Sequence, residues 1–160
     1  MAHRLHLIDT FRFNDWANKR TLEAMRKMPD NKESVNLFSH LIRAQDKWMR
    51  RIENDPAETG IEWFDKPFKS EELVTRWEAS LSEWLKFLSG LEDEDLNRQI
   101  RFAPAPDEPE GANELRDVVL QLNYHSILHR AQICLRLHDQ GIEPPHVDYI
   151  YYVPEKQKTK

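Results

Sequence analysis

Cysteine is almost missing from this sequence: Cys134 stands alone. One thiol closes no disulfide within a chain, which excludes a disulfide-stapled secreted scaffold and makes a reducing cytoplasm the default setting. Glycine is scarce as well. Gly60, Gly90, Gly111 and Gly141 are the full set, too few turn formers for a fold of many short strands. Positive charge is not in excess, since 23 Lys and Arg face 28 Asp and Glu for a net charge of -5. That balance argues against a dedicated nucleic-acid binder. No apolar run approaches the roughly 18 to 20 residues of a membrane span. Asp9 and Arg12 arrive too early in the chain for a signal peptide.

What the sequence does have is aromatic bulk: five Trp, seven Phe and four Tyr within 160 residues. That suits one domain over residues 1–160, with a core that needs no covalent staples. Helical periodicity runs through four stretches. The first spans Leu5 to Met28 and stops before Pro29, its apolar stripe of Ile8, Phe11, Leu22 and Met25 interrupted by Asn14, Asp15 and Asn18. The second spans Ser34 to Asn54, with Phe38, Leu41, Ile42, Trp48, Met49 and Ile52 on one face. The third opens at Ser70, an N-cap residue followed by Glu71 and Glu72, carries Leu73, Trp77, Leu81, Trp84, Leu85 and Leu88, and ends at Gly90. The fourth opens near Asn113 and closes at Gly141 before Pro144 and Pro145. It has two stripes. Leu115, Val118, Leu122, Ile133 and Leu137 form one, and Leu120, Tyr124, Ile127, Ala131 and Leu135 the other. A helix apolar on two sides is covered by several neighbours or by a second subunit.

Four long helices without strands to pair predict an all-α four-helix bundle. Two connections are long. Asp55 to Lys69 is expected as loop, with Trp63, Phe64 and Phe68 folding back on the bundle. Leu91 to Gly111 contains the acidic run Glu92 to Asp95, read as solvated surface, a short extended piece over Arg98 to Phe102, and the proline-rich Ala103 to Pro109. The end, Glu155 to Lys160, has no apolar residue and is expected to fray.

His125 and His129 lie four residues apart within the fourth helix. This spacing sets two imidazoles on one face, about 6 Å apart along the axis. The phase is more telling. Leu115, Val118, Leu122, His125, His129 and Gln132 follow one seam in steps of three and four, so both rings point into the bundle. Each buried imidazole needs partners for two nitrogens, and two adjacent cations repel. A shared metal answers both needs; a hydrogen-bonded polar layer is the other reading. A third ligand must come from another helix, and His40, beside the apolar face of the second, is best placed. His3 and His6 lie at the far end of the first helix, His138 points away from His129, and His146 lies beyond the prolines. Three neutral imidazoles leave coordination positions open, the pattern of a reactive site.

Three segments carry a family resemblance. They are Phe13-Asn14-Asp15-Trp16-Ala17-Asn18, the stretch Ser39 to Trp48 with His40 eight residues before Trp48, and Asn123-Tyr124-His125-Ser126-Ile127-Leu128-His129-Arg130-Ala131-Gln132. In order along the chain, and with the closing Gly141-Ile142-Glu143-Pro144, they resemble the DinB/YfiT-like family of bacterial four-helix metalloenzymes. The resemblance implies long crossover connections, a divalent metal (Zn, Ni, Fe or Mn) on His40, His125 and His129, and a homodimer. It also implies a metal-dependent enzyme acting on a small molecule. The expected activity is of thiol S-transferase type, with a low-molecular-weight thiol as cofactor. The alternatives are a metal-dependent hydrolase, or a non-catalytic dimeric metal-binding or stress-response protein.

Asn14, Asn18 and Gln132 are candidates to line the site or to orient a ligand, with polar packing between helices as the other reading of the two asparagines. Arg130 reads as an ion-pair or interface residue. Arg43, Lys47, Arg50 and Arg51 read as a solvated basic edge rather than a nucleic-acid surface. Cys134 reads as a small buried residue, not a nucleophile.

Overall fold

The computed structural model describes residues 3–103 and 109–158. Four long helices build it: α1 (His3–Met25), α2 (Lys32–Glu53), α3 (Leu73–Ser89) and α4 (Leu115–Asp139). A two-stranded antiparallel hairpin, β1 (Gln99–Phe102) with β2 (Gly111–Glu114), precedes α4, and a shorter helix, α5 (Tyr149–Lys158), follows it. The fold is all-α, as expected, with the hairpin as its small exception.

Residue pairs give the helix directions. Arg4 donates to the Ser89 carbonyl, so the start of α1 meets the end of α3. Asn14 meets Asn123 and Asn18 meets Ser126, so α1 and α4 run parallel. Arg136 near the end of α4 pairs with Glu33 at the start of α2, so those two are antiparallel. Ser80 meets Gln45 and Glu83 meets Arg50, so α2 and α3 run parallel. Parallel neighbours cannot be joined by a tight turn, and this explains the long segment between α2 and α3.

The core is aromatic where the helices cross. Trp77 and Trp84 of α3 are wholly buried, Phe38 meets Trp77 edge-on at 5.7 Å, and Phe11 stacks on Trp84 at 5.4 Å. A buried indole N–H needs an acceptor. Trp77 finds the Asp15 carboxylate at 3.0 Å and Trp84 the Gln45 carbonyl at 3.2 Å. Asp15 therefore interrupts the apolar stripe of α1 to serve a tryptophan.

Helix ends follow local chemistry. Gly141 takes a positive φ of 72°, and the Gly141 and Ile142 amides return to the His138 and Leu137 carbonyls, a Schellman closure that suits glycine. The start of α1 is closed from elsewhere in the chain: the Asp93 carboxylate accepts from the amides of His3 at 3.1 Å and Arg4 at 2.9 Å. The acidic run is thus not only solvated surface, because Asp93 sits where the positive end of a helix dipole favours an anion.

Other expectations need correction. The fourth helix begins at Leu115, since 111–114 pair with β1 and the Leu115 amide donates to the Arg98 carbonyl at 2.9 Å. Ser70 makes no cap; Ser70–Glu72 is a 3-10 turn in which Glu72 accepts from the Lys69 amide. The tail is helical through Lys158, held by Tyr152 against Phe13 and Trp16 and by Lys156 on Asp9. Thr159, Lys160 and most of the proline-rich segment (104–108) lie outside the described residues. Among the described residues, no helix is long and apolar enough to cross a membrane.

Candidate metal centre

Both ligand helices present their histidines to the same gap. His40, on α2, and His129, on α4, are buried, and His125 is half-buried. Ring centroids lie 4.9 Å apart for His40 and His125, 4.9 Å for His40 and His129, and 4.4 Å for His125 and His129. One nitrogen from each ring lies within 4.8 Å of the others. The Nε2 atoms of His40 and His125 are 2.9 Å apart. Two nitrogens on one ion at about 2.0 to 2.1 Å stand roughly 3 to 3.4 Å from each other, so the spacing fits a shared ion as well as it fits a hydrogen bond between two neutral rings.

The outward nitrogens of His40 and His129 are already engaged. His40 Nδ1 lies 2.7 Å from the Trp63 carbonyl oxygen. A carbonyl only accepts, so this ring carries its proton on Nδ1 and leaves the Nε2 lone pair free. His129 Nδ1 lies 2.7 Å from Gln132 Oε1, and the same logic frees its Nε2. Hydrogen bonds of this kind orient ligand imidazoles and raise their basicity. Burial holds the His40 pKa below its ordinary value, against the Trp63 hydrogen bond, which favours the cation. Burial, and then the neighbouring His129 and His40, push His125 down to about 4. His40 and His125 are therefore neutral at pH 7, the form in which an imidazole donates to a metal.

Trp63 belongs to the segment between α2 and α3, and the supposed basic edge of α2 holds that segment down. The Arg43 guanidinium donates to the Lys66 carbonyl at 2.6 Å and lies 4.2 Å over the Phe68 ring. Lys47 donates to the carbonyls of Glu58 and Ile61 and pairs with the Glu58 carboxylate. Arg51 reaches Glu58 and lies over Trp48 and Trp63. Burial alone would raise the Glu58 carboxyl, but the hydrogen bonds from Lys47 and Arg51 outweigh it and hold it low. Arg43 and Lys47 are buried, which corrects the solvated-edge reading. Residues 43, 47 and 51 form one row of a helix; that row facing an aromatic, acid-containing loop was the available signal. The segment's Phe64 is 77 % exposed yet stacks on His40 at 4.1 Å, with the planes 6° apart.

Beside His40 and His125 opens a cavity of about 630 Å³. Trp48, Trp63 and Phe64 make one wall; Asp117 and Gln121 of α4 make part of another. Neither Asp117 nor Gln121 stands out in the sequence, because each sits on the polar side of its turn and only the hairpin and loop around them create a cavity there.

Of the three candidates beyond the histidines, the structure brings only Gln132 to the rings. Asn14 and Asn18 face a different cluster. Their side-chain oxygens accept from Arg130 at 3.0 and 2.8 Å, and their amides donate to Asn123 and Ser126 at 2.5 and 2.9 Å. Arg130 is correspondingly buried rather than at an ion pair or surface, and burial lowers its pKa to about 10, which leaves it a cation.

Neither the comparison with curated proteins nor that with solved structures gives a match. A family model described as the DinB superfamily matches residues 12–133, a span that takes in α1 from residue 12 onward, α2, α3 and both ligand-bearing turns of α4. By its sequence over that span, the chain belongs to the DinB superfamily.

Proposed function

We propose that the protein is a divalent-metal-dependent enzyme that joins a low-molecular-weight thiol, through its sulfur, to a small electrophile. One observation carries the reading: three imidazole nitrogens converge at the edge of a cavity, and among the described residues no carboxylate, thiol or further imidazole joins them. A structural centre is closed by protein ligands, whereas a reactive one keeps positions open. A bound divalent ion supplies Lewis acidity, which favours a thiolate at neutral pH. The chain supplies the rest. Trp63 and Gln132 set the two tautomers, Phe64 shields the His40 ring from water, and the aromatic wall receives the electrophile. Thiol is favoured over water as nucleophile because the one carboxylate on the cavity wall among the described residues, Asp117, lies eight residues from His125, about 12 Å along the helix and too far for a general base.

Metal analysis of untagged protein should give about one divalent ion per chain, as one three-His group allows. The loaded protein should join small thiols to a chloronitrobenzene, forming a carbon–sulfur bond and releasing chloride, faster than the metal-free protein does. Equal rates with and without metal would overturn the proposal, and metal-dependent ester cleavage in its place would make the protein a hydrolase.

The same reading takes the protein as a cytoplasmic homodimer. Tyr124, Ile127, Leu128 and Leu135 of α4 stand 64, 42, 56 and 60 % exposed, an apolar face that nothing in this chain covers among the described residues. Sedimentation should give twice the 19.1 kDa chain mass, and Leu128→Glu should return the monomer.

A further inference from the structure

Asp117, Gln121, His125 and His129 follow one another at four-residue intervals, so they form a single row along α4. The row begins in the first turn of the helix and ends at the imidazoles. Asp117, Gln121 and His125 line the same cavity as the aromatic wall. Asp117 is exposed to that cavity, and among the described residues no ion pair or hydrogen bond engages its side chain. Lys47 and Arg51, which lie over Trp63 and Trp48 of the wall, are taken up by Glu58 and by the loop carbonyls. With a divalent ion held by the three imidazoles, the cavity would have an electrophilic end, a flat apolar middle and an anionic far end.

Each end selects for a different chemical group. Three neutral imidazoles around a divalent ion leave a net positive centre, which takes an anionic donor. Indole and phenyl faces take a flat or alkyl body. A free carboxylate at the far end takes a cation and repels an anion. The distance between the ends is set by eight residues of helix, about 12 Å. We infer that Asp117 is a specificity determinant of this site, and that the ligand is an amine-bearing molecule whose ammonium lies about two helical turns from its metal-binding atom. This rests on the metal-site reading above and names the class of ligand that site accepts.

Asp117 has a competing structural role, since an acid in the first turn stabilises a helix through its dipole. The test must move something that role does not. Biphenyl thiols that differ only at the far para position, as aminomethyl, hydroxymethyl or carboxylate, span about the 12 Å of two turns. Their affinities are read on the cobalt-loaded protein from the sulfur-to-cobalt absorption band, and the matching biphenyl hydroxamates are read by the cobalt d–d spectrum. The aminomethyl compound should bind about fivefold tighter than the hydroxymethyl one, the scale of a partly exposed charge pair, and the carboxylate more weakly than both. Asp117→Asn should erase the preference; Asp117→Glu should keep it. High salt should shrink it. Equal affinities across the three groups in the parent protein, with either anchor, would overturn the assignment. So would a preference that survives Asp117→Asn. Failure of the thiols alone to bind would sink the thiol-transfer reading, while the hydroxamates still decide the role of Asp117. If neither anchor binds, both fall.

Discussion

Helix α4 carries two polar clusters side by side, and they are built in opposite ways. Toward α1, Arg130, Asn123 and Ser126 meet Asn14 and Asn18, and donors and acceptors answer one another within the protein. Toward α2, His125 and His129 meet His40, and hydrogen bonds engage the outward nitrogens of His40 and His129 while the inward nitrogens of the three rings converge beside a cavity. Neighbouring residues 129 and 130 belong to different clusters because successive side chains of a helix point about 100° apart. The first cluster joins α1 and α4 through hydrogen bonds made within the protein, so its value is in registering α1 against α4. The second brings three imidazole nitrogens together with no carboxylate or thiol among the described residues to join them, a concentration of titratable groups that is retained where something is to be bound.

The largest effect should come from His125→Ala. It removes one of three ligands, so metal affinity should fall by more than the ~10- to 100-fold that loss of an outer hydrogen-bond partner costs. Isothermal titration would measure this, with the helical circular dichroism signal retained. Unchanged affinity would erase the distinction between the clusters. Arg130→Met should act the other way round. It strands the oxygens of Asn14 and Asn18 in the interior, at a cost of about 2 to 4 kcal/mol in urea unfolding, and should leave metal affinity nearly intact. A parallel collapse of metal binding would mean that the clusters work as one unit.

A smaller effect should appear on acidifying the metal-free protein. An unfolded histidine takes up its proton near 6.5. In the native protein, burial and then the neighbouring imidazoles hold His125 at about 4. Between these values the unfolded state binds more protons, so stability falls as the pH drops from about 6.5 to about 4 and levels off below. Unfolding midpoints across that range should show the slope, and His125→Ala should make it shallower, leaving the part that buried His40 contributes. A flat profile in the parent protein would mean that the rings are less enclosed than the packing of Phe64 and Trp63 indicates.

The histidine cluster was legible in advance because the phase of a helix is periodic. His125 and His129 fall on the seam of Leu115, Val118 and Leu122, and periodicity needs no knowledge of neighbours. Gln132 followed from the same count. Asn14 and Asn18 were visible as interruptions of a stripe, but their partners were not, since Arg130 and Ser126 lie more than a hundred residues away. The basic row on α2 was misread for a related reason. Whether a lysine such as Lys47 is solvated depends on where a loop beyond its own helix comes to rest.

By itself, the sequence determined the long helices, their buried faces, the closure at Gly141 and the inward direction of two histidines. All of these depend on dihedral preference, side-chain chemistry and a 3.6-residue period acting over a few turns. Only the tertiary structure decided that α2 and α3 run parallel, and that the intervening segment lays the Trp63 carbonyl on His40. It also decided that the hairpin before α4 helps turn the exposed Asp117 into the far end of a cavity. Those features are meetings between segments far apart in the chain. Their geometry comes from packing the whole core, which no local pattern records.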